Sequence, residues 1–85
     1  MNKIEIYTSP LCIFCHRAKS LLNSKGMEYK EINVAMHPGK QQEMIERAKA
    51  KSVPQIFANG QHIGDCERIY ALDATGKLDA VLGIT

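Results

Sequence analysis

Two cysteines separated by two residues, Cys12 and Cys15, are the part of the sequence whose residue types and spacing could do chemistry. Thiols at this spacing can meet as a disulfide with little movement of the backbone. The pair follows a strand-like segment and precedes a segment with helical spacing, so Cys12 is expected at a helix N-terminus. The unpaired N–H groups and partial positive charge there favour a thiolate over a thiol. The sequence therefore predicts a thiol–disulfide centre in which Cys12 attacks and Cys15, one turn further in and more covered, resolves.

Two other uses of a Cys-x-x-Cys pair stay open. The cysteines could be small buried apolar residues, or they could supply half of a zinc site. Zinc needs two further ligands, and the remaining candidates, which form no second paired motif, are Cys66, His16, His37 and His62. A pair between a strand and a helix in so short a chain favours redox chemistry, so no metal site is predicted. His16 is instead expected at the surface, and Cys66 is expected to be a semi-exposed structural cysteine.

The elements that must position the cysteines follow from the spacing of the apolar residues. Alternating segments predict strands, and segments with helical spacing predict helices. Gly26 can end the first helix, Pro38 can open the second and Asp65 can cap the third, while Asn59-Gly60 fits a two-residue hairpin turn. The predicted strands are residues 3–8, 28–34, 53–58 and 61–64, and the predicted helices are residues 14–25, a segment from Pro38 with Met44, Ile45 and Ala48, a segment after Asp65 with Ile69 and Leu72, and a short segment with Leu78, Val81 and Leu82.

The order of these elements, β-α-β-α-β-β-α-α, predicts an α/β fold with a four-stranded mixed sheet flanked by helices. The first β-α-β unit should be parallel and right-handed, and the hairpin adds antiparallel strands. With 85 residues the chain has room for one domain, residues 1–85, around one modest core. Met27, Met36 and Met44 are expected to fill that core. Pro54 cannot donate to a ladder, so by itself it predicts only the start of a strand, with the usual trans bond.

Composition and charge exclude several classes of protein. Apolar residues make up 45% of the chain and charged residues 24%, which is an ordinary globular mix. No apolar run approaches the roughly 18 residues that a membrane span needs, and Glu5 interrupts any signal-peptide core, so the chain is expected to be soluble and cytoplasmic. The odd number of cysteines argues against a framework of structural disulfides. A net charge of +2 is too weak to indicate nucleic acid as the main partner.

Three separated motifs have the residues and spacing of a known family. They are Ile6-Tyr7-Thr8 followed by Cys12-x-x-Cys15-His16-Arg17-Ala18-Lys19, then Ser52-Val53-Pro54-Gln55-Ile56-Phe57, then His62-Ile63-Gly64 before Cys66. The sequence resembles the short bacterial dithiol glutaredoxins, and the match runs nearly from end to end. The resemblance implies the thioredoxin fold. It also implies a cis bond before Pro54, with Pro54 facing Cys12, and a glutathione groove beside Cys12.

The resemblance also implies which residues line this groove. Phe14 takes the place of a tyrosine that lines the groove in the family, and the backbone of Val53 would pair with the cysteine of glutathione as an added strand does. Backbone N–H groups of Cys66 and Glu67 would hold the γ-glutamyl carboxylate. Glu67 stands where an aspartate is common and could take the glutamyl ammonium. Pro54 completes this side of the groove.

Gln41 and Lys51 fall where family members bind the glycine carboxylate of glutathione. Lys51 is one of four basic residues within twelve positions, the others being Lys40, Arg47 and Lys49. Such a cluster is either a solvated helix face or a site for a small anion. Because glutathione is a net anion, the resemblance implies that the cluster helps to bind it.

The activity that the resemblance implies is glutathione-dependent reduction of protein disulfides and glutathione mixed disulfides. Glutathione would be the co-substrate without any permanently bound cofactor, the partners would be disulfide-bearing or glutathionylated proteins, and the chain would act as a monomer. Ser9 in place of a common lysine, and Asp65 in place of a glycine, make the site less positive than in many members. Ile13 replaces the usual motif proline, which leaves an alternative open: two chains sharing a [2Fe–2S] cluster through Cys12 and two glutathiones.

Overall fold

The computed structural model describes residues 2–84, and its centre is a sheet of four strands. The strands lie in the order β2-β1-β3-β4. Strand β1 runs parallel to β2 and antiparallel to β3, which pairs antiparallel with β4. The predicted mixed sheet is thus confirmed. The strands are β1 (Ile4–Thr8), β2 (Tyr29–Asn33), β3 (Gln55–Ala58) and β4 (Gln61–Gly64).

Four helices complete the predicted order of elements. Their bounds are α1 (Ile13–Ser24), α2 (Pro38–Ala48), α3 (Cys66–Ala74) and α4 (Leu78–Leu82). Helix α1 crosses from β1 to β2, which makes these two strands parallel. Asn59 and Gly60 join β3 to β4 with φ of 53° and 83°, the left-handed conformation that the predicted hairpin turn requires. None of the helices in the described part of the chain is long and apolar enough to cross a membrane.

The core lies on both faces of the sheet because side chains alternate along a strand. Ile4 and Ile6 of β1 face a cluster that includes buried residues of α1, α3 and α4. Tyr7 faces the opposite side, where it packs with Phe57 of β3 and Met44 of α2. Helices therefore cover the two faces of one sheet, and the loops that leave β1 and enter β3 come out at the same end of it.

Two expectations about this part of the fold are corrected. Strand β3 begins at Gln55 opposite Tyr7, two residues later than predicted, because Pro54 has no N–H to give to the ladder. Met36 is 72% exposed, whereas Met27 and Met44 are buried as expected. Met36 follows β2 in a turn in which the Asn33 side chain accepts the backbone N–H groups of residues 35 and 36, and this turn carries it outside the sheet.

Candidate active site

Cys12 is the N-cap residue of α1, as the sequence predicts. Its sulfur accepts the backbone N–H of Cys15 at 3.2 Å, so the side chain itself caps the helix. The same sulfur lies 3.9 Å from the carbonyl oxygen of Val53. Cys12 is partly exposed, and solvent and a second thiol or disulfide can reach it. An N-cap position puts it against the positive end of the helix dipole, which stabilises a negative charge on sulfur.

Cys15 has a different environment although it lies one turn away. It is only 2% exposed. Burial raises the pKa of Cys15 to about 12, and its hydrogen bond to Cys12 acts in the same direction. A backbone hydrogen bond from Ser9 and the charge of Lys19 oppose these effects in part. Cys15 is therefore a protonated thiol at neutral pH, which fits the predicted order in which the accessible Cys12 reacts first.

The loop before β3 lies beside Cys12. The peptide bond between Val53 and Pro54 is cis, which confirms what the resemblance implied. Pro54 is fully buried, and Val53 is half-buried with its carbonyl oxygen turned toward the Cys12 sulfur. Because the ladder between β1 and β3 starts at Gln55, the backbone of Val53 stays outside it. It is therefore available to pair with an extended peptide laid beside Cys12.

The N-terminus of α3 also lies near this point. Asp65 is its N-cap, and its carboxylate accepts the backbone N–H of Arg68 at 2.9 Å. Cys66 and Glu67 occupy the first turn, where backbone N–H groups have no partner within the helix. Glu67 is exposed and lines a cleft of about 710 Å³ together with Asp65 and Arg68. This terminus can receive a carboxylate, which is the role that the resemblance implied for it.

The expectation of a semi-exposed Cys66 is wrong. The residue is 5% exposed, because α3 packs against α1 and turns this side chain into the core. Burial raises the pKa of the Cys66 thiol. A charge on Cys12 raises it further, so Cys66 lies within electrostatic reach of Cys12. Cys66 can therefore serve the site through its backbone, while its sulfur is part of the core.

The four basic residues around α2 do not act as one cluster. The Arg47 guanidinium donates to the Tyr7 hydroxyl at 2.7 Å and stacks 4.1 Å from the centre of the Phe57 ring. Lys40 pairs with Glu43 at 2.9 Å. Within residues 2–84, no salt bridge engages Lys49 or Lys51. The four basic residues therefore have different surroundings, and Lys51 is the exposed one beside the Val53 loop.

Other predicted groove residues lie at the surface. Gln41 is exposed on α2, and Phe14 is 58% exposed on the first turn of α1. Leu11 and Ile13 are also exposed, so apolar side chains flank Cys12. Leu11 and Ile13 were not predicted to belong to the site. A signal was present for Ile13, which lies off the buried face of α1.

The zinc alternative finds no set of ligands in the described part of the chain. No group of three or more His, Cys, Asp or Glu side chains among residues 2–84 is close enough to hold a metal ion. Cys12, Cys15 and Cys66 are all free thiols. The arrangement that the structure presents is a reachable sulfur at a helix N-terminus next to a buried one, which is suited to thiol–disulfide exchange.

Comparison with known proteins agrees with this chemistry. The family model for glutaredoxin matches residues 4–63. Glutaredoxin 3 of Escherichia coli K12 is 50% identical over 82 residues, which cover 96% of this chain and 99% of that protein. The glutaredoxin of Pseudomonas aeruginosa is 40% identical over 82 residues, which cover 96% of this chain and 98% of the relative.

Solved structures agree with the fold. The solution structure of a Brucella melitensis glutaredoxin superposes with a TM-score of 0.86 at 44% identity, covering 99% of this chain and 91% of that one. A buckwheat glutaredoxin, solved as a complex with glutathione, superposes with a TM-score of 0.88 at 26% identity, covering 96% of this chain and 77% of that one. The sheet and helices are thus those of the thioredoxin-like fold. The chain belongs to the glutaredoxin family of thiol–disulfide oxidoreductases.

Proposed function

We propose that this protein uses glutathione to reduce protein disulfides and glutathione mixed disulfides through Cys12 and Cys15. The observation that carries the proposal is the contrast between the two sulfurs. Cys12 is reachable and caps α1, whereas Cys15 is buried and its pKa is raised to about 12. One cysteine is thus built to attack, and the other is held as a thiol until a disulfide forms next to it.

With a glutathionylated client, only Cys12 is needed. The Cys12 thiolate attacks the glutathione sulfur, the bond between client and glutathione breaks, and the client thiolate leaves and takes a proton. A second glutathione, as thiolate, then attacks the glutathione sulfur on Cys12. The products are glutathione disulfide and the Cys12 thiolate. One free glutathione is consumed for each client, because the other half of the glutathione disulfide comes from the client's own mixed disulfide.

With a client disulfide, Cys15 joins the reaction. Cys12 attacks one client sulfur and forms a mixed disulfide, and the other client sulfur leaves as a thiol. Cys15 then loses its proton and attacks the Cys12 sulfur, which releases the client fully reduced. Two glutathiones reopen the Cys12–Cys15 bond. This closure is intramolecular, and it is favoured because the two residues lie close together on one helical turn.

A glutathione site beside Cys12 is supported by three features of the chain. The Val53 backbone is free of the β ladder, the α3 N-terminus offers N–H groups at Cys66 and Glu67, and Lys51 is exposed on the same loop as Val53. In this order, the three features can bind the backbone, the γ-glutamyl carboxylate and the glycine carboxylate of glutathione. The complex of the buckwheat relative with glutathione supports the same ligand.

The test is to compare Cys12→Ser and Cys15→Ser in two assays. We expect Cys12→Ser to abolish turnover of both a glutathionylated substrate and a protein disulfide, because the other two cysteines, Cys15 and Cys66, are buried. Cys15→Ser should retain deglutathionylation but lose the dithiol reduction of protein disulfides. His16→Ala, which changes an exposed side chain of the same helical turn, is the matched control. Equal losses from both cysteine variants with the glutathionylated substrate would contradict the assigned roles.

A further inference from the structure

A second cavity lies on a side of Cys15 that the proposed glutathione groove does not use. It measures about 540 Å³, and its lining includes Cys12, Cys15, His16, Lys19, Glu31 and Asn33. None of the residues predicted to bind glutathione lines it. It is formed by the β1–α1 loop, the first turns of α1 and the end of β2. The mechanism above leaves its two charged residues, Lys19 and Glu31, without a role.

Lys19 and Glu31 form a fixed pair in this cavity. The Lys19 ammonium donates to Glu31 Oε2 at 3.0 Å, and the Thr8 hydroxyl donates to the same oxygen at 2.8 Å. Burial alone would raise the pKa of Glu31, but the hydrogen bonds from Lys19 and Thr8 outweigh it and hold the pKa below its usual value. The hydrogen bond to Glu31 also raises the pKa of Lys19. Both groups are therefore charged at neutral pH, and the ammonium is held in one place.

The position of Lys19 on α1 puts it over Cys15. The two residues are four apart in the helix, so their side chains lie on the same face, with Cβ atoms about 5–6 Å apart. Both line the cavity, and each shifts the pKa of the other in the direction expected for a cation beside a thiolate. Lys19 shares helix α1 with Cys15, whereas Glu31 belongs to strand β2. Helix α1 itself therefore holds the cation of the pair on the side of Cys15.

We propose that Lys19 is a positioning residue for the buried sulfur: held by Glu31, its ammonium stabilises the thiolate that Cys15 carries when it attacks or leaves Cys12. The inference rests on the proposed function, since it assumes that Cys15 takes part in the dithiol cycle. In the closing step Cys15 gives up its proton and its sulfur bonds to Cys12. The bond between Cys12 and the client breaks, and the client thiolate departs and takes up a proton. In the opening step glutathione attacks Cys12 and Cys15 departs as a thiolate. Burial disfavours the charged thiolate, and a nearby cation stabilises it in both the closing and the opening step.

The direct test follows one intramolecular step. Glutathione is attached to Cys12 by reaction with glutathione disulfide, and its release by Cys15 is timed after rapid removal of excess reagent. We expect Lys19→Met to slow the release by about three- to tenfold, which corresponds to loss of one partly screened charge. Lys19→Arg, which keeps the cation, should restore most of the rate. Rates are compared with turnover of a glutathionylated substrate, and the ratio of release to turnover should fall in Lys19→Met.

Lys25→Met is the matched control. Lys25 lies at the other end of α1, about 15 Å along the helix from Cys15, and is paired with Asp73 and Asp79 at 2.7 and 2.9 Å. Its side chain is 24% exposed, against 28% for Lys19, so the two variants remove similarly exposed lysines that both form salt bridges. Lys25→Met should release glutathione at the wild-type rate. An equal slowing in Lys25→Met would overturn the proposal.

The dependence of the release rate on pH gives a second readout. The groups that face Cys15 are Cys12, the backbone of Ser9 and Lys19, with His16 and Glu31 on the cavity wall. Without the ammonium, a given rate should be reached only at higher pH, so the Lys19→Met profile should be displaced upward relative to wild type and Lys19→Arg. A purely structural role would lower the thermal midpoint without displacing the profile. If Lys19→Met does not fold, Lys19→Gln carries the same test with a polar side chain.

The outcomes separate this inference from the proposed function. Profiles that coincide for wild type and Lys19→Met, or a loss that Lys19→Arg does not restore, would overturn the role of Lys19. Failure of the wild-type protein to turn over a glutathionylated substrate would instead overturn the glutathione-dependent function. The release step does not depend on that turnover, because it starts from glutathione already bound to Cys12.

Discussion

Two cysteines three positions apart acquire different chemistry because a helix begins between them. Cys12 lies outside the first turn, where its sulfur meets a backbone N–H and solvent. Cys15 lies inside the helix on its buried face. Because both residues have the same side chain, the difference in reactivity follows from burial and from the helix terminus.

The raised pKa of Cys15 predicts how stability depends on pH. In the folded protein this pKa is about 12, above the ordinary value of 9.0. The unfolded chain therefore loses the Cys15 proton first as the pH rises, so the contribution to stability is complete below 9.0 and is lost progressively between 9.0 and about 12. In that window the reduced protein should lose about 1.4 kcal/mol per pH unit through this group.

Urea unfolding under reducing conditions at about pH 8 and about pH 10 measures this effect. Serine does not titrate in this range, so Cys15→Ser should show a shallower decline than wild type. The free-energy difference between wild type and Cys15→Ser should therefore shrink as the pH rises. Parallel curves for the two proteins would contradict the raised pKa.

Lys51 should contribute to glutathione binding by its charge. Arg47 is engaged with Tyr7 and Lys40 with Glu43, and Lys49 caps the end of α2, whereas Lys51 is exposed on the loop that carries Val53. We expect Lys51→Glu to raise the KM for glutathione by about two- to fivefold, the range for an exposed ion pair. The measurement is steady-state turnover at low ionic strength. Lys77→Glu, an exposed lysine next to α4, is the control, and an unchanged KM in Lys51→Glu would remove Lys51 from the site.

At the scale of elements, two helix N-termini and one loop converge on Cys12. Helix α1 supplies the sulfur, α3 supplies free N–H groups, and the loop before β3 supplies the Val53 backbone. Gly64 leads into α3 with φ of 145°, and a Cβ there would clash with the Arg68 side chain. Only glycine fits this approach, so β4 can end directly against the start of α3.

Substitutions of Asp65 can distinguish the stabilising effect of a helix cap from that of a negative charge. Because its carboxylate accepts the Arg68 N–H, Asp65→Ala should lower the free energy of unfolding by about 1 kcal/mol. Asn caps a helix about as well as Asp, so Asp65→Asn should retain most of this stability. Urea unfolding at neutral pH measures both variants. A loss in Asp65→Asn as large as in Asp65→Ala would show that the charge, and not the cap, stabilises α3.

At the scale of the whole molecule, the site lies where the sheet meets helices from both faces. The cluster around Ile6 and the cluster around Tyr7 hold α1, α3 and α2 against one sheet. The loop of Cys12 follows β1, and the loop of Val53 precedes β3, its antiparallel neighbour. The pairing of β1 with β3 therefore brings together two segments that are about forty residues apart in the chain.

The state of assembly distinguishes the proposed enzyme from the iron–sulfur alternative. We expect the protein, purified in the presence of glutathione, to sediment as a monomer of 9.5 kDa without absorbance in the visible range. The apolar rim around Cys12 is then free for client proteins. A brown dimer that loses its colour in Cys12→Ser would favour a cluster shared between two chains. Analytical ultracentrifugation with detection at two wavelengths settles the outcome.

The sequence by itself determined the features that depend on neighbouring residues. Apolar spacing predicted every strand and helix, Asn59-Gly60 predicted the hairpin, and the place of Cys12 before a helical segment predicted its capping position. The family resemblance, and not local residue preference, predicted the cis bond before Pro54. These predictions succeeded because backbone periodicity, turn conformation and helix capping are set within a few residues.

Only the tertiary structure decided how distant residues meet. The packing of α3 on α1 buried Cys66, the turn after β2 exposed Met36, and the contact of α2 with the sheet drew Arg47 to Tyr7. The pairing of β1 with β2 placed Glu31 against Lys19, twelve residues earlier in the chain. Burial, ion pairing and the resulting pKa shifts depend on which surfaces are pressed together, and that is a property of the packed molecule and not of any local segment.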